Sequence, residues 1–267
     1  MYDKQSPFSA IKLTGRRDSL ADSAYATLCT AIIDCRLPPG SAISEAEMST
    51  RFAFGLAAVR AAMMKLTASD WIAPDGRRGS MILPVSAAHL ADLTASRRCL
   101  EPALLDHAPP IDLADELRLR ATVHHAATAQ LTKSNRQALL HQERALLGLI
   151  AQSVAPPRIR RWLIDTWELS LRADRNLEQA FGVQRDPLPL AALAEALAKG
   201  DAPAATVLLD DMRHAFDHRA ARALARSAAP LSTAPTNQQP NRSATARPAA
   251  PKAGASRKTR SFKGDPA

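Results

Sequence analysis

A chain of 267 residues is longer than one ordinary core requires, and it predicts two domains with some unstructured chain besides. With 46% hydrophobic but only 4% aromatic residues, and alanine and leucine abundant, the composition points to a mostly helical protein and away from a sheet-rich one. The net charge of +9 suggests nucleic acid, yet seven cations against one aspartate beyond residue 226 account for +6 of it, leaving +3 for residues 1–226.

No apolar run approaches the roughly 18 residues of a membrane span, and the opening "MYDKQSPFSAIKLTGRRDSL" lacks the apolar stretch of a signal peptide. A cytoplasmic protein is expected, with residues 1–18 a flexible lead-in. The three cysteines, Cys29, Cys35 and Cys99, are odd in number and show no CxxC spacing, which predicts reduced, buried thiols in place of a disulfide or zinc site.

From Ser19 the chain carries Leu20, Ala24, Leu28, Ala31 and Ile32 at helical spacing, with Ser19 placed as an N-cap. "RLPPGSAIS" then forces a turn. "SEAEMSTRF" follows, with Ser44 and Glu47 spaced as a capping box. Phe54 and Gly55 lead into a third helix, Leu56 to about Ser69, that turns Val59, Met63 and Leu66 to a core. In "WIAPDGRRGSMILPV", two short β-type runs flank Asp75-Gly76-Arg77-Arg78-Gly79, whose turn residues predict a hairpin. Three helices and a hairpin predict a winged helix–turn–helix over residues 19–84.

Residues 85–226 read as six or seven antiparallel helices, broken at "HAPPID", "TKSN", "VAPP" and "GVQRDPLP". His124, His125 and His141 are read as exposed or partly buried helix residues. Trp162, Trp167 and Phe181 are read as core, with either Trp as an alternative cavity wall. The expected fold class is therefore mainly α with a small β-hairpin. From residue 227 to 267 the chain is rich in Pro, Ala, Ser and Thr and is expected to be disordered, either a solvated extension or an auxiliary phosphate-binding arm.

Residues 19–84, through "IIDCRLPPGSAISEAEMSTRFAFGLAAVRAAMMKL" and "GRRGSMILPV", resemble the DNA-binding domain of the GntR family of bacterial transcription regulators. The resemblance implies a third helix in the major groove and a wing tip at the minor groove, so that Arg51, Arg60, Arg77, Arg78 and Gly79 fall near operator DNA. For each arginine the alternative is an ordinary solvated charge. The chain departs from the family where a Ser-Arg-Thr-Pro run is usual, carrying Gly55, Leu56, Ala57 and Ala58 instead. An arginine bidentate to guanine contributes about 1–3 kcal/mol of discrimination that these side chains lack, so a weakened or altered sequence preference is expected.

The stretches "LTASRRCLEPALL" and "LAALAEALAKGDAPAATVLLDDMRH" resemble the effector-binding and dimerising FCD domain of the FadR-like branch. The resemblance implies a homodimer and a small-molecule effector, with Arg97 facing it and a carboxylate as the natural ligand class. Many FCD domains also hold a metal, but the matching positions here are Glu143, Leu147, Leu190 and Met212, with His214 two residues off. Leucine cannot ligate, so no metal and no cofactor is expected. Nor is there a nucleophile elbow, phosphate loop or HExxH pattern to support an enzyme. The rival reading is a regulator-derived protein whose DNA reader has decayed and whose bundle acts as a ligand-binding or dimerisation module.

Overall fold

A computed structural model of the chain describes residues 19–76, 79–132 and 134–228. The winged half begins with α1 (Leu20–Ile33), where Ser19 and Asp22 close a reciprocal capping box. After the proline turn come β1 (Ala42–Ile43), α2 (Glu45–Phe52) and α3 (Leu56–Ala68), then β2 (Ile72–Pro74) and β3 (Ser80–Ile82). The sheet runs β1-β3-β2, antiparallel throughout, with Ala42 opposite Met81 and Ala73 opposite the same Met81. The hairpin is thus joined by a third strand that two residues are too few to announce in sequence.

Three expectations need correction here. At α2, Ser44 accepts the Glu47 amide, but the reciprocal half of the capping box is not formed among the described residues. Leu20 does not join the apolar stripe of α1; it is 74% exposed, because it sits in the first turn ahead of the residues that α3 covers. Cys29 and Cys35 are buried, as expected, but Cys99 is exposed.

The helical half holds α4 (Ala87–Leu100), a 3-10 turn (Glu101–Leu104), α5 (Ile111–Ala129), α6 (Arg136–Val154), α7 (Pro157–Phe181), α8 (Leu190–Lys199) and α9 (Ala202–Ala228). The breaks after α4, α6 and α7 fall at proline-bearing stretches because proline removes an amide donor and disfavours helix in the residue before it, whereas α8 ends on the left-handed Gly200. One apolar core is continuous from Leu28, Met48, Val59 and Trp71 in the winged half to Leu146, Trp167 and Leu193 in the helical half. A second cluster, including Leu93, Leu177 and Phe216, fastens α4, α7 and α9. Between the halves, Arg144 donates to both Glu168 (2.6 Å) and Thr30 (2.8 Å), and His141 lies 3.2 Å from Asp34.

Candidate functional site

The helix–turn–helix is α2, a turn through Ala53, and α3. Ala53 adopts φ +56, a left-handed conformation that costs a non-glycine residue roughly 1 kcal/mol, and the Ser49 hydroxyl, donating to the Phe54 carbonyl at 2.6 Å, holds the turn closed. Val59, Ala62, Met63 and Leu66 face inward. Outward stand Leu56, Ala57, Arg60 and Met64, the last 70% exposed. Arg60 is bound by Glu45, whose carboxylate accepts from Nε (3.0 Å) and Nη2 (2.8 Å). The Arg60 hydrogen bond holds the Glu45 carboxyl below its usual range, and the same contact raises the guanidinium.

Arg51, also exposed, donates to the Arg36 carbonyl at 2.9 Å and lies over the Phe52 ring at 5.6 Å. Gly79 has a backbone reason to be glycine. Its φ is +100, and a Cβ there would meet the Ile43 carbonyl oxygen at 2.6 Å, closer than any side chain tolerates. It therefore seats the wing against β1. Arg77 and Arg78 lie outside the described residues.

In the helical half Arg97 is 5% exposed, and its Nε donates to Glu101 at 2.7 Å. Glu101 is fully buried and also accepts from Trp167 Nε1 (2.9 Å) and from Arg213. Glu101 thus takes one nitrogen of the guanidinium that the resemblance offers to an effector. Glu143, the remaining acidic position of the degenerate metal pattern, faces Arg185 and accepts the Leu188 amide at 2.7 Å. Arg185 also approaches Asp174 (3.6 Å), which Arg219 clasps with two hydrogen bonds. Burial opposes ionisation of Glu143, but the neighbouring His124 and the Arg185 guanidinium outweigh it and hold the carboxyl below its ordinary range. Leu147, Leu190 and Met212 are core.

His124, read as exposed or partly buried, is 2% exposed, with Nε2 at 3.7 Å from Glu143. Its place on α5 against α6 is tertiary, and no local spacing marks it.

A cleft of about 980 Å³ lies between the halves. The end of α3 and its turn (Ser69, Asp70) form one side, with Leu83, and α4 and α7 the other. Trp162, read as core, is 55% exposed and stands in this cleft, which matches the alternative of a tryptophan as cavity wall. Behind Leu83 and His89 is Arg172, which is completely buried. Its Nη2 donates to the Leu83 carbonyl and its guanidinium lies 5.9 Å from the Trp71 ring, but Nε and Nη1 have no partner among the described residues. Burial lowers it to about 10. Sequence reading did not single out Arg172, because an arginine on an amphipathic helix reads as solvated until the opposite domain covers it.

No family model and no curated protein matches this chain in sequence. Among solved structures it is similar to a transcriptional regulator GntR from Rhodococcus sp. RHA1, at 21% identity and a TM-score of 0.54, over 77% of this chain and 97% of that one. It is also similar to McbR/YncC of E. coli, at 16% identity and a TM-score of 0.57, over 78% and 96% of the two chains. The fold is therefore the one expected, a winged helix–turn–helix followed by a helical bundle.

Proposed function

We propose that this chain, which has the fold of GntR-type regulators, is a DNA-binding transcription regulator that acts as a homodimer on a two-fold operator and responds to a small organic ligand. Residues 19–84 are the DNA-binding unit, residues 85–226 the ligand-binding and dimerising unit. The observation that supports this reading is the outer edge of α3: Leu56, Ala57, Arg60 and Met64 are open to solvent and follow a tight turn from α2. Arg51 and Gly79 belong to the same surface by family analogy, as do Arg77 and Arg78. Their contribution is phosphate positioning, with sequence preference left to few direct base contacts. No enzymatic step is assigned.

Arg97 was the sequence's choice for an effector carboxylate. Its Nε bond to Glu101, which also accepts from Trp167 and Arg213, supports a rival role in holding α4 against α7 and α9. A decayed reader is the second reading, and the Glu45–Arg60 pair favours it, since the free protein neutralises the single cation of α3's first two turns. Fluorescence anisotropy of the full chain on its own promoter-region DNA and on random duplex, over a salt series, decides between them. Retention of the promoter fragment at physiological salt supports the regulator. Failure to bind either duplex at low salt supports the decayed module.

A further inference from the structure

We infer that α3 reads DNA through the C5-methyl groups of thymine, with Leu56, Ala57 and Met64 as the specificity-determining side chains in place of a hydrogen-bond code. The inference rests on the DNA-binding reading above and adds what the helix recognises. α3 carries three polar side chains, Arg60, Lys65 and Thr67, and each is already engaged within the chain. Glu45 takes Nε and Nη2 of Arg60, Asp22 of α1 takes the Lys65 ammonium, and the Thr67 hydroxyl donates to the Met63 carbonyl at 3.0 Å. The turn ahead of the helix, Ala53-Phe54-Gly55, has no side-chain donor or acceptor.

What the helix offers outward is apolar. Val59, Ala62, Met63 and Leu66 fill the core, while Leu56, 47% exposed, and Met64, 70% exposed, stand outside it. A lone exposed apolar side chain is ordinary, but here the edge is continuous. Ala57, Ala61, Met64 and Ala68 recur at helical spacing, and Leu56 lies one turn before Arg60 in the adjoining row, so Arg60 is the one polar side chain among them. In the major groove every base presents donors or acceptors, and thymine alone adds a methyl group. Side chains such as Leu56, Ala57 and Met64 have no hydrogen bond to give to guanine, cytosine or adenine, but they bury a methyl group and gain by removing it from water. The small alanines also let the helix lie close to the groove floor.

Area and charge favour the major groove over a second copy of the chain as the occupant. A helix of 13 residues is about 20 Å long, so one edge of it covers roughly 200 Å², far short of the about 800 Å² per partner of a stable protein interface. Arg51, in the last turn of α2, bonds to a carbonyl and keeps its charge, and Arg60 stands within the apolar edge, where a phosphate can replace Glu45. A polyanion therefore meets cations where the methyl-reading edge begins.

The test uses the full chain and a random duplex library, from which the tightest-binding duplex is selected. That duplex is then made with deoxyuridine at every thymidine, which deletes the methyl groups and leaves the hydrogen-bonding atoms of the bases unchanged. Anisotropy titration is expected to show the uracil duplex binding about tenfold or more weakly, at about fourfold for each methyl group buried. Leu56→Ala together with Met64→Ala keeps the helix, since both side chains are exposed and alanine is the strongest helix former. The double variant is expected to bind the thymine duplex more weakly and to separate the two duplexes by no more than about twofold. The inference is overturned if the wild-type chain binds both duplexes equally, or if the double variant keeps the wild-type ratio, which assigns the preference to the shape of the DNA instead. Failure to bind any duplex at low salt overturns the DNA-binding reading and this inference with it, whereas equal binding of the two duplexes overturns this inference alone.

Discussion

Glu45, in the first turn of α2, grips Arg60 of α3 across the helix–turn–helix, 3.0 Å from Nε and 2.8 Å from Nη2. Both side chains are solvent-exposed, so the pair adds little to folding. Its consequence is for binding, since a phosphate approaching Arg60 has to displace a carboxylate already seated there. Glu45→Gln is expected to tighten DNA binding several-fold on all sequences. Arg60→Ala is expected to weaken it, by roughly ten- to a hundredfold if Arg60 reads a base and by less and uniformly if it holds a phosphate. Anisotropy titrations of both variants on promoter and random duplex check this, and unchanged affinity in both removes Arg60 from the interface.

The elements were legible where the cue is local. Ser19, the Pro38-Pro39-Gly40 turn and the prolines between helices mark boundaries by cap and breaker chemistry, and the structure has breaks at those places. Partner choice was not legible. The fates of Arg97, His124 and Arg172 depend on Glu101, Glu143 and Leu83, and periodicity within one helix says nothing about which distant residue will face it. Trp162 shows the same limit. An aromatic on a helix suggests a core until the neighbouring domain leaves its ring in a cleft.

Arg97→Met is expected to lower stability without touching ligand recognition. The variant removes one donor from a buried carboxylate that keeps Trp167 and Arg213, so a loss of about 1–3 kcal/mol is expected. Urea unfolding measures it. A variant with wild-type stability but no response to ligand returns Arg97 to the effector site.

Arg185 lies between Glu143 and Asp174. Arg185→Met strands the buried Glu143 carboxylate, while Asp174 keeps Arg219, and is expected to destabilise by about 3–5 kcal/mol, the range for breaking a buried ion pair. The double substitution Glu143→Met with Arg185→Met removes the stranded charge and is expected to cost less than Arg185→Met alone. If the double variant is the weaker, the network is not held by charge pairing.

His89 ties the cleft wall to pH. Burial and then Arg172 hold it below its ordinary value of 6.5, against the smaller opposing effect of Asp92. As pH falls through 6.5 the unfolded chain takes the proton first, so the stability contributed by neutral His89 is complete above that value and is lost towards the lower folded one. His89→Gln is therefore expected to flatten the fall in urea midpoint between neutral and mildly acidic pH relative to wild type. Parallel curves for the two proteins remove His89 as a contributor.

The seven cations beyond residue 226 lie outside the described residues, but their charge has a measurable consequence. Each phosphate neutralised on B-DNA contributes about 0.9 to the log–log salt slope, whatever the base sequence. Cutting the chain after Ala228, where α9 ends, removes all seven while leaving every described helix intact. If some of the cations engage at once, truncation flattens the slope by about 2–4 and weakens promoter and random DNA equally, because the segment adds no base readout. An unchanged slope makes the segment a passive extension. A lower melting temperature on truncation contradicts the expectation of disorder, since a stretch with so few large apolar residues has little to bury.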